Sequence, residues 1–121
     1  DSPADAPGEQ LISVSTHSVG GTRVVAVAGE VDMGTTPRLR SALQQELRST
    51  GSMLVVDLSE VHFLGSSGLA VLVETKDAAG ERDIPLRLVC SSREVLRPLE
   101  ATGLTELFEI YPDRAAALTG S

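Results

Sequence analysis

Residues 53–72 read MLVVDLSEVHFLGSSGLAVL, and the change of rhythm inside them decides the fold class. Met53 to Leu58 is a short apolar run rich in valine, the pattern of a buried strand. Gly65-Ser66-Ser67-Gly68 then separates a strand from a helix. From Ser66 or Ser67 the spacing is helical, with Leu69, Leu72 and Val73 on one face and Glu74, Lys76 and Asp77 on the other. Gly80 closes the helix. A strand feeding an amphipathic helix is the alternation of an α/β layer fold.

The same alternation extends in both directions. Upstream, Leu11 to Ser18 alternates as a half-buried edge strand, Gly20-Gly21 marks a hairpin turn, and Arg23 to Ala28 (RVVAVA) reads as a strand covered on both faces. Thr36 as N-cap and Pro37 at the first helical position start a helix that carries Leu39, Leu43 and Leu47. Ser49-Thr50-Gly51 ends it, with Gly51 as a left-handed cap. Downstream, Leu86 to Cys90 is a strand, and Ser91 with Glu94 has capping-box spacing before a helix that Pro98 should kink or shorten. Gly103 ends that helix. Phe108 to Tyr111 forms a short strand, and Asp113 caps a last Ala-rich helix. The order β-β-α-β-α-β-α-β-α predicts an α/β domain with a mixed sheet of about five strands and about four helices. Residues 1–10 read as a flexible leader and 11–121 as a single domain.

Composition removes several function classes. The 121 residues carry ten Lys and Arg against seventeen Asp and Glu, a formal net charge of −7, with a pI of about 4.7. Counterion release on nucleic acid needs a basic surface that such a chain lacks, and anionic membranes are disfavoured alike. Phe63, Phe108 and Tyr111 are the only aromatic residues, so the core is aliphatic and stacking platforms for bases have no material. One cysteine, Cys90, allows no internal disulfide and reads as a small core hydrophobe. With two histidines and one cysteine there is no structural zinc set, and no cofactor is implied. No apolar run approaches a bilayer span, and residues 1–10 lack a signal-peptide pattern, so the expected compartment is the cytoplasm.

The residues that could carry chemistry are few. Ser66 and Ser67 follow Gly65 at a helix start, where a serine is a cap, a phosphate acceptor, or both. A hydrolase elbow, Gly-x-Ser-x-Gly, fails in both registers, because Leu64 and Leu69 stand where glycines are required. No phosphate-binding loop occurs. A phospho-aspartate receiver built on Asp57 lacks its acidic pair after the first strand and a lysine beyond Lys76, so Asp57 reads as a strand-end residue capping a loop. Glu30 and Asp32 follow the second strand. They are either a solvated loop, in which Asp32 accepts from backbone amides, or part of a site shared with Ser66 at the C-terminal sheet edge. His17 and His62 read as surface or packed residues rather than catalytic bases.

Gly29-Glu30-Val31-Asp32, Val55-Val56-Asp57-Leu58-Ser59, Phe63 to Leu72, Thr102-Gly103-Leu104 and Leu107-Phe108, in this order and spacing, resemble the bacterial anti-sigma factor antagonists of the STAS domain family. The resemblance covers nearly the whole chain, from about Leu11 to Leu118. It implies a mixed sheet with helices largely on one side. It also implies a non-enzymatic partner switch: the antagonist binds an anti-sigma factor serine kinase, a sigma factor is released, phosphorylation ends the binding, and a serine phosphatase resets it. In the family motif Asp-Ser-Ser-Gly or Asp-Ser-Thr-Gly, the serine after the Asp accepts the phosphate. Here that position is Ser66, and the family's Asp after the second strand matches Asp32. Asp32, Gly34, Thr35, Gly65, Ser66, Ser67 and Leu69 are the implied contact residues. The acidic charge and the lack of an amphipathic surplus point to a monomer.

The departure is Gly65, which stands where the motif has Asp. Three outcomes are open: phosphorylation of Ser66 at an altered rate, a poor acceptor that leaves the antagonist permanently competent, or a different partner. The rival reading is a STAS subunit of another assembly, a lipid-transport complex or a signalling scaffold, in which Ser66 is only a cap. A small-ligand or nucleotide sensor, or a hydrolase, would instead show a saturable pocket or turnover lost in Ser66→Ala.

Overall fold

The computed structural model describes residues 12–49 and 52–120. The expected leader over 1–10 and the Gly51 cap lie outside the described residues. Strands β1 (Ile12–Val19), β2 (Thr22–Val31), β3 (Met53–Leu64), β4 (Leu86–Val89) and β5 (Glu109–Tyr111) form one sheet in the order β1-β2-β3-β4-β5. β1 is antiparallel to β2, and the other neighbours are parallel. Helices α1 (Thr36–Ser49), α2 (Ser66–Glu81), α3 (Arg93–Ala101) and α4 (Arg114–Thr119) follow β2, β3, β4 and β5, with a 3-10 turn at Leu104–Glu106. The predicted element order and mixed sheet are therefore present.

The β1-β2 hairpin turns at Gly20 and Gly21, with φ of 56° and 89°. Positive φ at both central residues gives the turn whose twist matches that of the strands, which is why two glycines sit there.

β3 is twice as long as the reading of Met53 to Leu58 predicted. Its second half buries Leu58, Val61 and Leu64, a spacing of three that a period-two test reads as a loop. The cause lies in the β2-β3 register. Between the pairs Ala26↔Asp57 and Ala28↔Glu60, β2 advances two residues and β3 three; between Gly29↔Val61 and Glu30↔Phe63, β2 advances one and β3 two. Each step leaves one extra residue on β3, a bulge that re-aims the following side chains. β2 likewise runs past the predicted Ala28 to Val31, with Gly29 at φ 106°.

The two sheet faces are covered unequally. On one face Val25, Val27, Leu54, Val56, Leu58 and Leu88 pack against α1 through Leu39, Leu43 and Leu47, against α2 through Val71 and Leu72, and against α3 through Val95 and Leu99. Burying a leucine or valine of this kind contributes roughly 1.5–3 kcal/mol, so this aliphatic layer is the main source of stability. On the opposite face Val24, Val55 and Val89 form a smaller cluster with Ala117 of α4. Cys90, directly after β4 rather than within it, is 2 % exposed in the main core. Burial, with the nearby Asp57 charge, pushes its thiol up to about 11, so it is not a reactive thiolate at neutral pH.

Asp57 is not a strand-end residue. It lies in the middle of β3, 4 % exposed, on the face covered by α4. Its Oδ1 accepts from the Ser59 backbone N–H at 2.9 Å and hydroxyl at 2.6 Å, and its Oδ2 accepts from Arg114 Nε of α4. Arg87 of β4 binds the other end of α4, donating to the Ala117 carbonyl at 2.6 Å. Burial alone would raise the Asp57 carboxyl, but the bonds from Ser59 and Arg114 outweigh it and hold the group below its ordinary range. A lowered folded-state value stabilises the fold above the ordinary aspartate range, and that contribution is lost as pH falls through the folded value. Arg114→Ala is expected to cost about 1–2 kcal/mol at neutral pH, since Arg114 is partly solvated. Thermal melts of both proteins from pH 7 down to pH ~3 should show the gap narrowing as Asp57 protonates. A gap that stays constant would assign the loss to packing alone.

Three cap expectations are corrected. The first helix is capped by Thr35, not Thr36: the Thr35 carbonyl accepts from Leu39 N–H, so Thr36 is already in the helix. α2 is capped by Gly65 with no side-chain bond, so Ser66 is its first residue and not its cap. Ser92, not Ser91, precedes α3, and its hydroxyl makes no capping bond. Asp113 does cap α4, accepting from Ala116 N–H at 2.8 Å. The last strand begins at Glu109, one residue after Phe108, whose ring is buried in the core.

Candidate functional site

The parallel strands β2 and β3 end side by side at Val31 and Leu64, and each feeds a helix. Their two connecting loops are therefore neighbours at the C-terminal edge of the sheet, the place where open α/β sheets gather their sites. One backbone bond ties the loops together, from Gly65 N–H to the Val31 carbonyl at 2.9 Å.

The loop after β2 is built by Asp32 and Thr35. Asp32 Oδ1 accepts from the N–H of Gly34 at 2.9 Å and of Thr35 at 3.1 Å, and its carbonyl accepts from Thr36 N–H at 2.9 Å. Thr35 Oγ1 accepts from Asp32 N–H at 2.9 Å and donates to the Glu30 carbonyl at 2.8 Å. Asp32 accepts from backbone amides as the first reading expected, so Oδ1 shapes the loop, and that loop lies beside the one that carries Ser66. Asp32 is half-buried, Gly34 and Met33 are exposed, and Glu30 is exposed beside them.

The loop after β3 presents serine. Ser66 is exposed at the first turn of α2 and Ser67 is half-buried. Neither hydroxyl has a hydrogen-bond partner among the described residues. The Gly65 carbonyl accepts from Gly68 and Leu69 N–H, at 3.0 and 3.1 Å, which closes the first turn without a side chain. A serine hydroxyl not used as a cap is free for other chemistry, and the N-terminal dipole tolerates an anion there.

Gly68 fixes how close this turn comes to the sheet. A Cβ on it would sit 2.5 Å from Val31 Cγ1 and 2.7 Å from Leu64 Cδ1. Both side chains are buried where β2 and β3 end. Glycine at 68 therefore sets the height of Ser66 above the sheet, a role that sequence reading did not assign to it.

Two of the implied contact residues are corrected by burial. Leu69 is 8 % exposed and belongs to the core, and Thr35 is 1 % exposed. Neither offers surface to a partner; Leu69 anchors α2 and Thr35 braces the Asp32 loop. The outward-facing neighbours are Met33, 83 % exposed, and Phe63, 50 % exposed. Sequence reading missed both, because apolar residues in a loop and near a strand end are ordinarily assigned to the core.

The other candidates do not join this site. His17 Nε2 lies 3.4 Å from the Arg114 guanidinium on the α4 face of the sheet. His62 faces a groove of about 410 Å³ between the end of β3 and α3, lined also by Phe63, Leu64, Pro98 and Ala101. No group of three or more His, Cys, Asp or Glu placed to hold a metal occurs among the described residues, and none of their helices is long and apolar enough to cross a membrane.

Comparison with known proteins adds four findings. The family model of the STAS domain matches residues 13–117. The anti-sigma-F factor antagonist RsfB of Mycobacterium tuberculosis is 32 % identical over 115 residues, which is 95 % of this chain and 92 % of that protein. The anti-sigma-B factor antagonist of Listeria monocytogenes is 36 % identical over 86 residues, covering 71 % of this chain and 75 % of the relative. Among solved structures, an anti-sigma factor antagonist from Mycobacterium paratuberculosis superposes with a TM-score of 0.86 at 36 % identity, covering 95 % of this chain and 96 % of that one.

Proposed function

The chain belongs to the STAS domain family, and from that premise we propose that it is an anti-sigma factor antagonist switched by phosphorylation of Ser66. It acts by binding rather than by turnover. Unmodified, it occupies an anti-sigma factor serine kinase through the Asp32 and Gly65 loops, and the kinase releases its sigma factor. The observation that carries this reading is Ser66 itself: an exposed hydroxyl on the first turn of α2, unused as a cap and tied through Gly65 to the Asp32 loop. The relatives' names, antagonists of anti-sigma-F and anti-sigma-B factors, support the partner class.

The modification is a phosphoryl transfer within the complex. Ser66 Oγ attacks the γ-phosphorus of ATP held by the kinase; the new O–P bond forms as the bond to the ADP oxygen breaks. No carboxylate stands at 65 to take the hydroxyl proton, so a base of the kinase takes it. A serine phosphatase hydrolyses the phosphoserine and completes the cycle. This switching takes place in the cytoplasm, where sigma factors act.

The test is to incubate the protein with purified anti-sigma factor kinase and ATP and to locate the phosphate by mass spectrometry. Wild type and Ser67→Ala are expected to gain one phosphate on Ser66, and Ser66→Ala none. Modification at Ser67, or binding without any modification, would contradict the switch.

A further inference from the structure

Four large apolar side chains are exposed among the described residues: Val19, Met33, Phe63 and Leu107. Two of them lie at the ends of β2 and β3, where the chain turns into the Asp32 loop and toward Ser66. Phe63 is three residues ahead of it, and its ring atoms Cε2 and Cζ lie 3.1 and 3.4 Å from where a Cβ on Gly65 would be. The ring thus lies over the glycine that precedes Ser66, in space that a larger residue at 65 would contest. Met33 lies in the tight turn between Asp32 and Thr35, and its carbonyl is 3.4 Å from the Thr36 hydroxyl that donates to it. The Gly65-to-Val31 bond holds the two loops together. Glu30, opposite Phe63 in the β2-β3 ladder, is exposed and in no ion pair among the described residues, where the paired acids are Glu46, Glu74, Glu109 and Asp57.

We propose that Met33 and Phe63 are a pair of apolar anchors beside Ser66, and that the anti-sigma factor recognised by this chain presents to them an apolar hollow with a basic rim facing Glu30. The inference rests on the antagonist reading and names the partner's contact chemistry. Exposed apolar side chains gain from burial only when a partner covers them. Aromatic residues and methionine are enriched at the dry centre of interfaces, and a few such anchors carry most of the affinity. An exposed, unpaired acid beside an apolar contact favours a partner of opposite charge and speeds its approach. Phosphate on Ser66 would then place its charge at the margin of a dry contact, where desolvation is most costly.

The experiment is calorimetric titration of the protein into each purified serine-kinase anti-sigma factor of the source organism. The variants are Phe63→Ala, Phe63→Leu, Met33→Ala and, as a control of equal exposure elsewhere, Leu107→Ala. Phe63→Ala and Met33→Ala are each expected to weaken binding roughly tenfold or more, with Phe63→Leu retaining most of the affinity and Leu107→Ala all of it. Melting temperatures report folding, and Met33→Ala carries the test if Phe63→Ala does not fold. Wild type that binds while both alanine variants bind within about twofold of it overturns the anchors alone. Wild type that binds none of these kinases overturns the antagonist reading and the anchors together.

Discussion

Gly68→Val is expected to destabilise the protein by about 3 kcal/mol and Gly68→Ala by about 1–2 kcal/mol. Two opposing effects decide the sign. Alanine and valine are both better helix formers than glycine, alanine by about 1 kcal/mol. Against that, a Cβ at 68 lies 2.5 Å from Val31 Cγ1 and 2.7 Å from Leu64 Cδ1. Val31 is fully buried and β-branched, so its methyl has nowhere to go without moving β2. Helix α2 must tilt away from the sheet instead, carrying Ser66 with it.

Gly80 of the same helix is the control. A Cβ there meets nothing within 4 Å, so Gly80→Ala should stabilise by about 0.4–1 kcal/mol. Thermal melts read both, at on the order of 4 °C per kcal/mol. A Gly68→Ala protein as stable as Gly80→Ala would mean that α2 does not approach the sheet so closely.

The second large effect is on binding. Phosphorylation of Ser66 is expected to weaken the complex with the anti-sigma factor by about a hundredfold or more. The phosphate adds roughly −1.5 to −2 charges and three strong acceptors. Within the chain this is tolerated, since the first turn of α2 has no acidic residue and its dipole favours an anion. The cost therefore falls on the interface, where the phosphate would lose water against the apolar contact and stand opposite a kinase that carries ATP. A juxtaposition of like charges costs several kcal/mol, and about 2.7 kcal/mol already gives a factor of a hundred. Ser66→Glu adds less charge and should show a smaller loss, at least about tenfold. Ser66→Ala should bind as wild type does, because its hydroxyl caps nothing.

The layer fold and the place of Ser66 are legible in the sequence because both rest on local patterns. Apolar runs, helical spacing and glycine punctuation each act over a few residues. Three things were not legible, each for a physical reason. The second half of β3 hides behind two bulges, which turn the strand's period from two to three and leave Ser59, Glu60, His62 and Phe63 outside the core. The Asp57–Arg114 pair joins residues 57 apart, and no spacing rule reaches that far. The caps at Thr35 and Gly65 differ from expectation by one residue. A Thr-Thr-Pro or Gly-Ser-Ser run offers adjacent candidates of equal propensity, and the tertiary bonds to Glu30 and Val31 choose between them.

The contact residues implied by the resemblance divide in the same way. Asp32, Gly34, Gly65, Ser66 and Ser67 come together at one edge of the sheet, while Leu69 and Thr35 turn inward. A leucine one turn into a helix reads equally well as core or as contact until the sheet beneath it is placed. Met33 and Phe63 show the converse, apolar residues that composition assigns to the interior; the tight turn after β2 leaves the first in water and the bulged end of β3 the second.

The most direct measurement is one titration run twice. The purified anti-sigma factor kinase is titrated first with the unmodified protein and then with the protein carrying phosphate on Ser66. The account predicts a tight complex in the first case and an affinity about a hundredfold or more lower in the second. Equal affinities, or no complex with the unmodified protein, would contradict it.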